Sequence, residues 1–175
     1  MYVLSMISFL LWAGFLLLAA MRFGIPDMMS DVYYQLQKCT GSEVIGDKRK
    51  RNYGWVFTAV MVASAILMLI PILDSGKGIQ FLAFLGCGGL MFVGFVPRYL
   101  DSAEHIIHKS AAITAAIGCV GWCSSVNLAP TLLLAIAVLI IYFPPAVKKP
   151  KTVGYYWAEI AAFLDVYLTY WIFAL

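Results

Sequence analysis

Stretches of the chain that carry almost no charge alternate with short polar ones, and that alternation predicts helices. Residues 1–21 contain no charged side chain, Arg22 closes the run, and Gly24 and Pro26 follow it. About 20 apolar residues, at 1.5 Å each, span the ~30 Å hydrocarbon core of a bilayer. The run from Ser110 to Val147 is too long for one span, and Ser124, Ser125, Asn127 and Pro130 divide it. The pattern predicts transmembrane helices at about 2–21, 53–73, 78–97, 103–123, 128–145 and 153–174. A polar loop, 22–52, separates the first two. Within it, Asp27 to Leu36 reads as a short amphipathic helix at the membrane surface, capped by Asp27 or Ser30. No internal repeat is visible. The expected fold is an all-α integral membrane protein: one domain over 1–175, a six-transmembrane-helix bundle with a short amphipathic segment after the first helix.

Composition agrees. Of 175 residues, 63% are hydrophobic and 12% charged, against about 25% charged in soluble domains. The excess apolar surface calls for lipid. The run Lys48-Arg49-Lys50-Arg51 marks a cytoplasmic flank, not a nucleic-acid contact. Eleven of the twelve Lys/Arg lie in or beside the loops after helices one, three and five, and only Lys77 lies opposite. The positive-inside bias therefore predicts a bacterial inner (plasma) membrane protein with both termini outside. The third predicted helix holds Gly86, Gly88, Gly89 and Gly94, which suits close helix packing in lipid. Cys39, Cys87, Cys119 and Cys123 form no CxxC pair and read as free thiols, three of them in apolar segments.

Candidate chemistry centres on the start of the fourth predicted helix. Asp101, Glu104, His105 and His108 fall at i, i+3, i+4 and i+7, one helical face that holds both histidines of the chain. Span parity puts Asp27, Asp31 and Glu159 at the same membrane face, so seven of nine carboxylates gather there. Three readings stay open. One is a site for zinc or another divalent metal, with His105, His108 and Asp101 as ligands. A second is proton or ion handling by a small transporter or channel through Asp165, whose alternative is a helix–helix hydrogen bond to Ser64, Thr114 or Tyr170. A third is an interfacial helix start whose acids match the helix dipole. Ser30 and Ser102 have acids and histidines within reach of the sequence, but no elbow motif marks a nucleophile.

The leading functional expectation is a polar, cytoplasm-facing pocket that binds or hydrolyses a lipid or other amphipathic small molecule. Asp101, His105, His108 and Glu159 form its catalytic core, with metal-assisted hydrolysis as the chemistry if it is an enzyme. Asp31, Arg98, Lys48, Arg49 and Asp165 are the candidate substrate contacts, and the basic run would hold anionic headgroups. Membrane lipids are the expected partners. A homo-oligomer, or a non-catalytic place in a larger membrane complex, is the alternative.

Three short segments carry a resemblance: Ile25-Pro26-Asp27-Met28-Met29-Ser30-Asp31-Val32-Tyr33-Tyr34, Phe84-Leu85-Gly86-Cys87-Gly88-Gly89 leading to Phe95-Val96-Pro97, and His108-Lys109-Ser110-Ala111-Ala112. Within residues 25–112 the chain resembles the domain-of-unknown-function 998 family and, through it, the CREST superfamily of membrane hydrolases and receptors. That resemblance implies a multi-helix membrane bundle. It also implies a zinc site of three histidines with a serine and an aspartate, which a chain with two histidines does not complete.

Overall fold

The charge-free runs fold as helices whose lengths separate them into two groups. The computed structural model describes residues 1–38, 53–98, 100, 102–142 and 153–175. Its elements are α1 (Tyr2–Phe23), α2 (Asp31–Lys38), α3 (Gly54–Ser75), α4 (Gln80–Phe95), α5 (Ser102–Val126), α6 (Leu128–Tyr142) and α7 (Val153–Thr169), which continues as the π-helical turn Tyr170–Ala174. No strand occurs among the described residues. Helices α1, α3 and α5 hold 22, 22 and 25 residues, or about 33–38 Å. These three are long and apolar enough to cross a membrane. The expectation of six such spans is corrected: α4 and α6 are apolar but have 16 and 15 residues, and α7 has 17, among them Glu159 and Asp165. Local chemistry shortens α4. It starts after the Gly76 and Gly78 turn, both glycines at positive φ, and it stops at Phe95 because Pro97 disfavours helical backbone at Val96.

The bundle is apolar outside and partly polar inside, the reverse of a soluble protein. One stripe of α1 is buried, Ser5, Ser8, Trp12, Leu16 and Ala19, while Leu10, Leu17, Leu18 and Met21 are exposed. Exposed aliphatic side chains cover α6 as well, with Leu133 and Ile140 each 69% exposed. Soluble monomers rarely expose contiguous apolar surface on that scale.

Close packing in lipid depends on small residues, and α4 meets α5 through them. A Cβ added to Gly118 would run into the Gly86 nitrogen, and one on Gly89 would lie 2.6 Å from the Ala115 nitrogen. Gly94 plays the same part against Met61 and Val62 of α3, whereas a Cβ on Gly88 would meet nothing within 4 Å.

Helix α3 packs between α1 and α4, α4 between α3 and α5, and α5 beside α7. The ring closes between α7 and α1 through side chains. Trp12 stacks on Phe163 at 4.8 Å, and Phe9 meets Tyr167 and Trp171 edge-on, each at 5.2 Å. Polar links reinforce the seam. Ser8 Oγ donates to the Ser64 carbonyl and accepts from the Tyr167 hydroxyl, both at 2.8 Å. Trp171 Nε1 donates to Ser5 Oγ at 2.9 Å. Helix α6 stands outside the ring, against α5 and α7.

Candidate functional site

The segment between α1 and α2 turns back over the ends of α5 and α7. Gly24 makes the turn possible by adopting φ 83° at the end of α1. The segment is then fastened to α7 at two points. The Tyr156 amide donates to the Asp27 carbonyl at 3.2 Å, and the Met29 amide donates to Glu159 Oε2 at 2.7 Å. The neighbouring Met28 amide donates to Asp31 Oδ2 at 3.0 Å, which closes the turn locally.

Ser30 follows, immediately before α2. Position alone suggests a helix cap, but its hydroxyl turns the other way: Oγ lies 3.0 Å from His108 Nε2 on α5. His108 Nδ1 lies 2.6 Å from the Val96 carbonyl. A carbonyl only accepts, so Nδ1 carries the proton. In the neutral imidazole, Nε2 then accepts from the Ser30 hydroxyl. Both residues are buried, at 6% and 7% exposure. Pro97 matters here, because it ends α4 at Val96 and so brings a non-helical carbonyl to the imidazole. The result is a serine hydroxyl on a histidine whose far nitrogen is fixed by a backbone acceptor.

Ser30 and Glu159 also line a cavity of about 280 Å³ between α3, α4, α5 and α7. The loop end of this cavity is formed by Met28, Met29, Phe57 and Tyr155. The walls are small and apolar, with Ala65, Ala115 and Ala162 among them, and Met68, Cys87 and Cys119 lie at the far end. His108 stands behind Ser30, outside the lining.

The residues singled out from the sequence fare differently. Asp31, His108 and Glu159 meet around the loop that carries Met28, Met29 and Ser30. His105 is exposed, and Arg98, also exposed, places Nε 3.4 Å from the Tyr33 hydroxyl. The shared face of α5 is divided because its inward stripe runs through His108, Ala111, Ala115, Cys119 and Trp122, which leaves His105 beside the stripe. Asp101, Lys48 and Arg49 lie outside the described residues. Asp165 is 2% exposed and takes no part in the loop cluster. Thr131 Oγ1 donates to its Oδ2 at 2.6 Å and Thr169 Oγ1 to its Oδ1 at 3.2 Å. These partners differ from Ser64, Thr114 and Tyr170, and the Thr131 bond ties α6 to α7 while Thr169 lies one turn along α7 itself.

Among the described residues, no three His, Cys, Asp or Glu side chains come together to hold a metal. The zinc site that the resemblance implies does not fit His108, since both of its ring nitrogens already have partners. Sequence reasoning named Ser30 beside Ser102 but, with no elbow motif, did not place it in the site. The available signal was the short polar Ser30-Asp31 pair behind Pro26, but nothing local ties it to a histidine 78 residues away.

No family profile, no curated protein and no solved structure matches the chain.

Proposed function

We propose that this protein is a membrane-embedded acyl hydrolase or acyl transferase, with Ser30 as nucleophile and His108 as general base. The observation that carries the reading is the Ser30 Oγ to His108 Nε2 contact at 3.0 Å at the polar end of an apolar cavity. A serine hydroxyl is a weak nucleophile until a base takes its proton. As Ser30 Oγ bonds to a substrate carbonyl carbon, its proton passes to Nε2 and the carbonyl π electrons move to oxygen. Collapse breaks the bond to the leaving group, which takes the proton from Nε2. Water, or another alcohol, then repeats the sequence and frees Ser30. Val96 stands where an acid stands in a Ser-His-Asp triad. A neutral carbonyl orients the ring but stabilises the imidazolium less than a carboxylate does.

The substrates of this reading are lipids or other amphiphiles with an ester or amide at the junction of tail and headgroup. The cavity takes the apolar tail, and Glu159 and Ser30 meet the polar junction. In this reading α4, α6 and α7 cross the bilayer beside the three long helices, shortened but held by ring neighbours. The loop face is cytoplasmic, as the distribution of Lys and Arg supports, in a bacterial inner membrane.

The test is labelling of the purified full-length chain by a fluorophosphonate probe. Wild-type protein should label, and Ser30→Ala should not. Equal labelling of the two, or none of wild type, overturns the nucleophile assignment.

A further inference from the structure

The shape of the cavity carries a statement about its ligand, and that statement rests on the amphiphile reading above. Its lining follows α3 from Phe57 to Met68, eleven residues or about 16 Å of rise. A volume of about 280 Å³ over that length gives a section of about 17 Å². Carbon atoms in contact sit ~4 Å apart, so one hydrocarbon chain needs about 16 Å². The slot is one chain wide. Carbon–carbon bonds of ~1.5 Å advance about 1.25 Å each along an extended chain, so ten carbons cover about 11 Å, and a contact distance of ~4 Å at the methyl end brings the total to about 15 Å.

The far end is closed. One turn beyond Met68, Cys87, Cys119 and Val166 stand Ile72, Ala83, Trp122 and Tyr170, all no more than 2% exposed. Trp122 is further fixed, because its Nε1 donates to the Lys77 carbonyl at 3.0 Å. A longer tail would have to displace this packed layer, and closely packed interiors resist such overfilling.

We infer that the cavity measures chain length: it selects amphiphiles with a single linear acyl chain of about ten carbons, seated with its carbonyl at Ser30 and its terminal methyl against Met68. Met68 sets the far limit, and Ala162, midway along α7, sets the width through which the chain passes. Two-chain lipids fit only with one tail outside the bundle.

The experiment uses the full-length protein in detergent micelles. The protein is offered an equimolar mixture of hexanoyl, decanoyl, lauroyl and palmitoyl monoacylglycerols, and native mass spectrometry reads the bound species. Ser30→Ala is run in parallel, so that binding is read without turnover. Wild type and Ser30→Ala should both prefer the decanoyl species. Met68→Ala should raise the lauroyl-to-decanoyl ratio about tenfold, and Ala162→Leu should lower the decanoyl-to-hexanoyl ratio about tenfold. Each ratio is internal to one sample, so loss of folded protein does not imitate a shift. Binding without chain-length preference, ratios unmoved by both variants, or no binding at all overturns the inference. Length-selective binding without fluorophosphonate labelling leaves the ruler standing and removes the hydrolase.

Discussion

The Met29 amide and the Glu159 carboxylate are 130 residues apart in sequence and 2.7 Å apart in space. Through this bond the last helix holds the loop that presents Ser30. The contact calls for an acceptor, not for a charge.

Glu159→Gln should therefore stay close to wild type in thermal stability, since an amide oxygen accepts the same bond. Glu159→Leu should lose about 1–3 kcal/mol, the cost of a buried donor left without a partner. Thermal unfolding in detergent separates the two. Equal losses would mean that the negative charge is what the site needs.

Ser30 and His108 should behave as one unit. Removing either should cost acyl turnover by roughly 10²–10⁴-fold, the usual range for a positioned acid–base group, and removing both should cost little more. Hydrolysis of a medium-chain 4-nitrophenyl ester by the two single variants and the double variant gives the cycle. Additive losses would separate the residues.

Asp165 is expected to act in stability alone. Asp165→Ala strips the partner from both Thr131 and Thr169 and should cost about 1–3 kcal/mol. Turnover per folded molecule should not change. Proton flux into liposomes should be the same for wild type and Asp165→Asn, and a flux abolished by Asp165→Asn would restore the transporter reading.

The glycines of α4 should not be equivalent. Leucine at Gly86 or Gly89 drives a side chain into the α5 backbone and should abolish the monodisperse peak in size-exclusion chromatography. Gly88→Ala enters open space and should gain up to about 1 kcal/mol from helix propensity. Comparable behaviour at Gly88 and Gly89 would contradict the packing described.

Much of this was legible in the sequence. Charge-free runs and their proline and glycine breaks place the helices within a few residues, because the hydrocarbon core admits few alternatives to helix. The alternating direction of successive helices likewise brings Asp31, His108 and Glu159 to one end, and that holds whether or not each helix is long enough to be a span. Three features were not legible. Helix α4 is shorter than its apolar run because Pro97 acts on the residue before it. The α5 stripe divides because neighbouring helices, not periodicity, decide which side of His105 is covered. The Ser30–His108 pair depends on a carbonyl that α4 releases at Val96, a detail of three-dimensional closure. Asp165 illustrates the same limit: helical spacing selects Thr169, one turn on, but no spacing rule selects Thr131 on α6.

The hydroxyl seam between Ser8 and Tyr167 joins residues 159 positions apart. At about 5–20 residues per second, synthesis separates them by roughly 8–32 s. Until then the ring is open along one side, and the loop bearing Ser30 lacks its fastening to α7. A half-made chain in the bilayer thus holds a serine without its finished surroundings. The surroundings of Ser30 are thus finished only once α7 has followed the earlier helices.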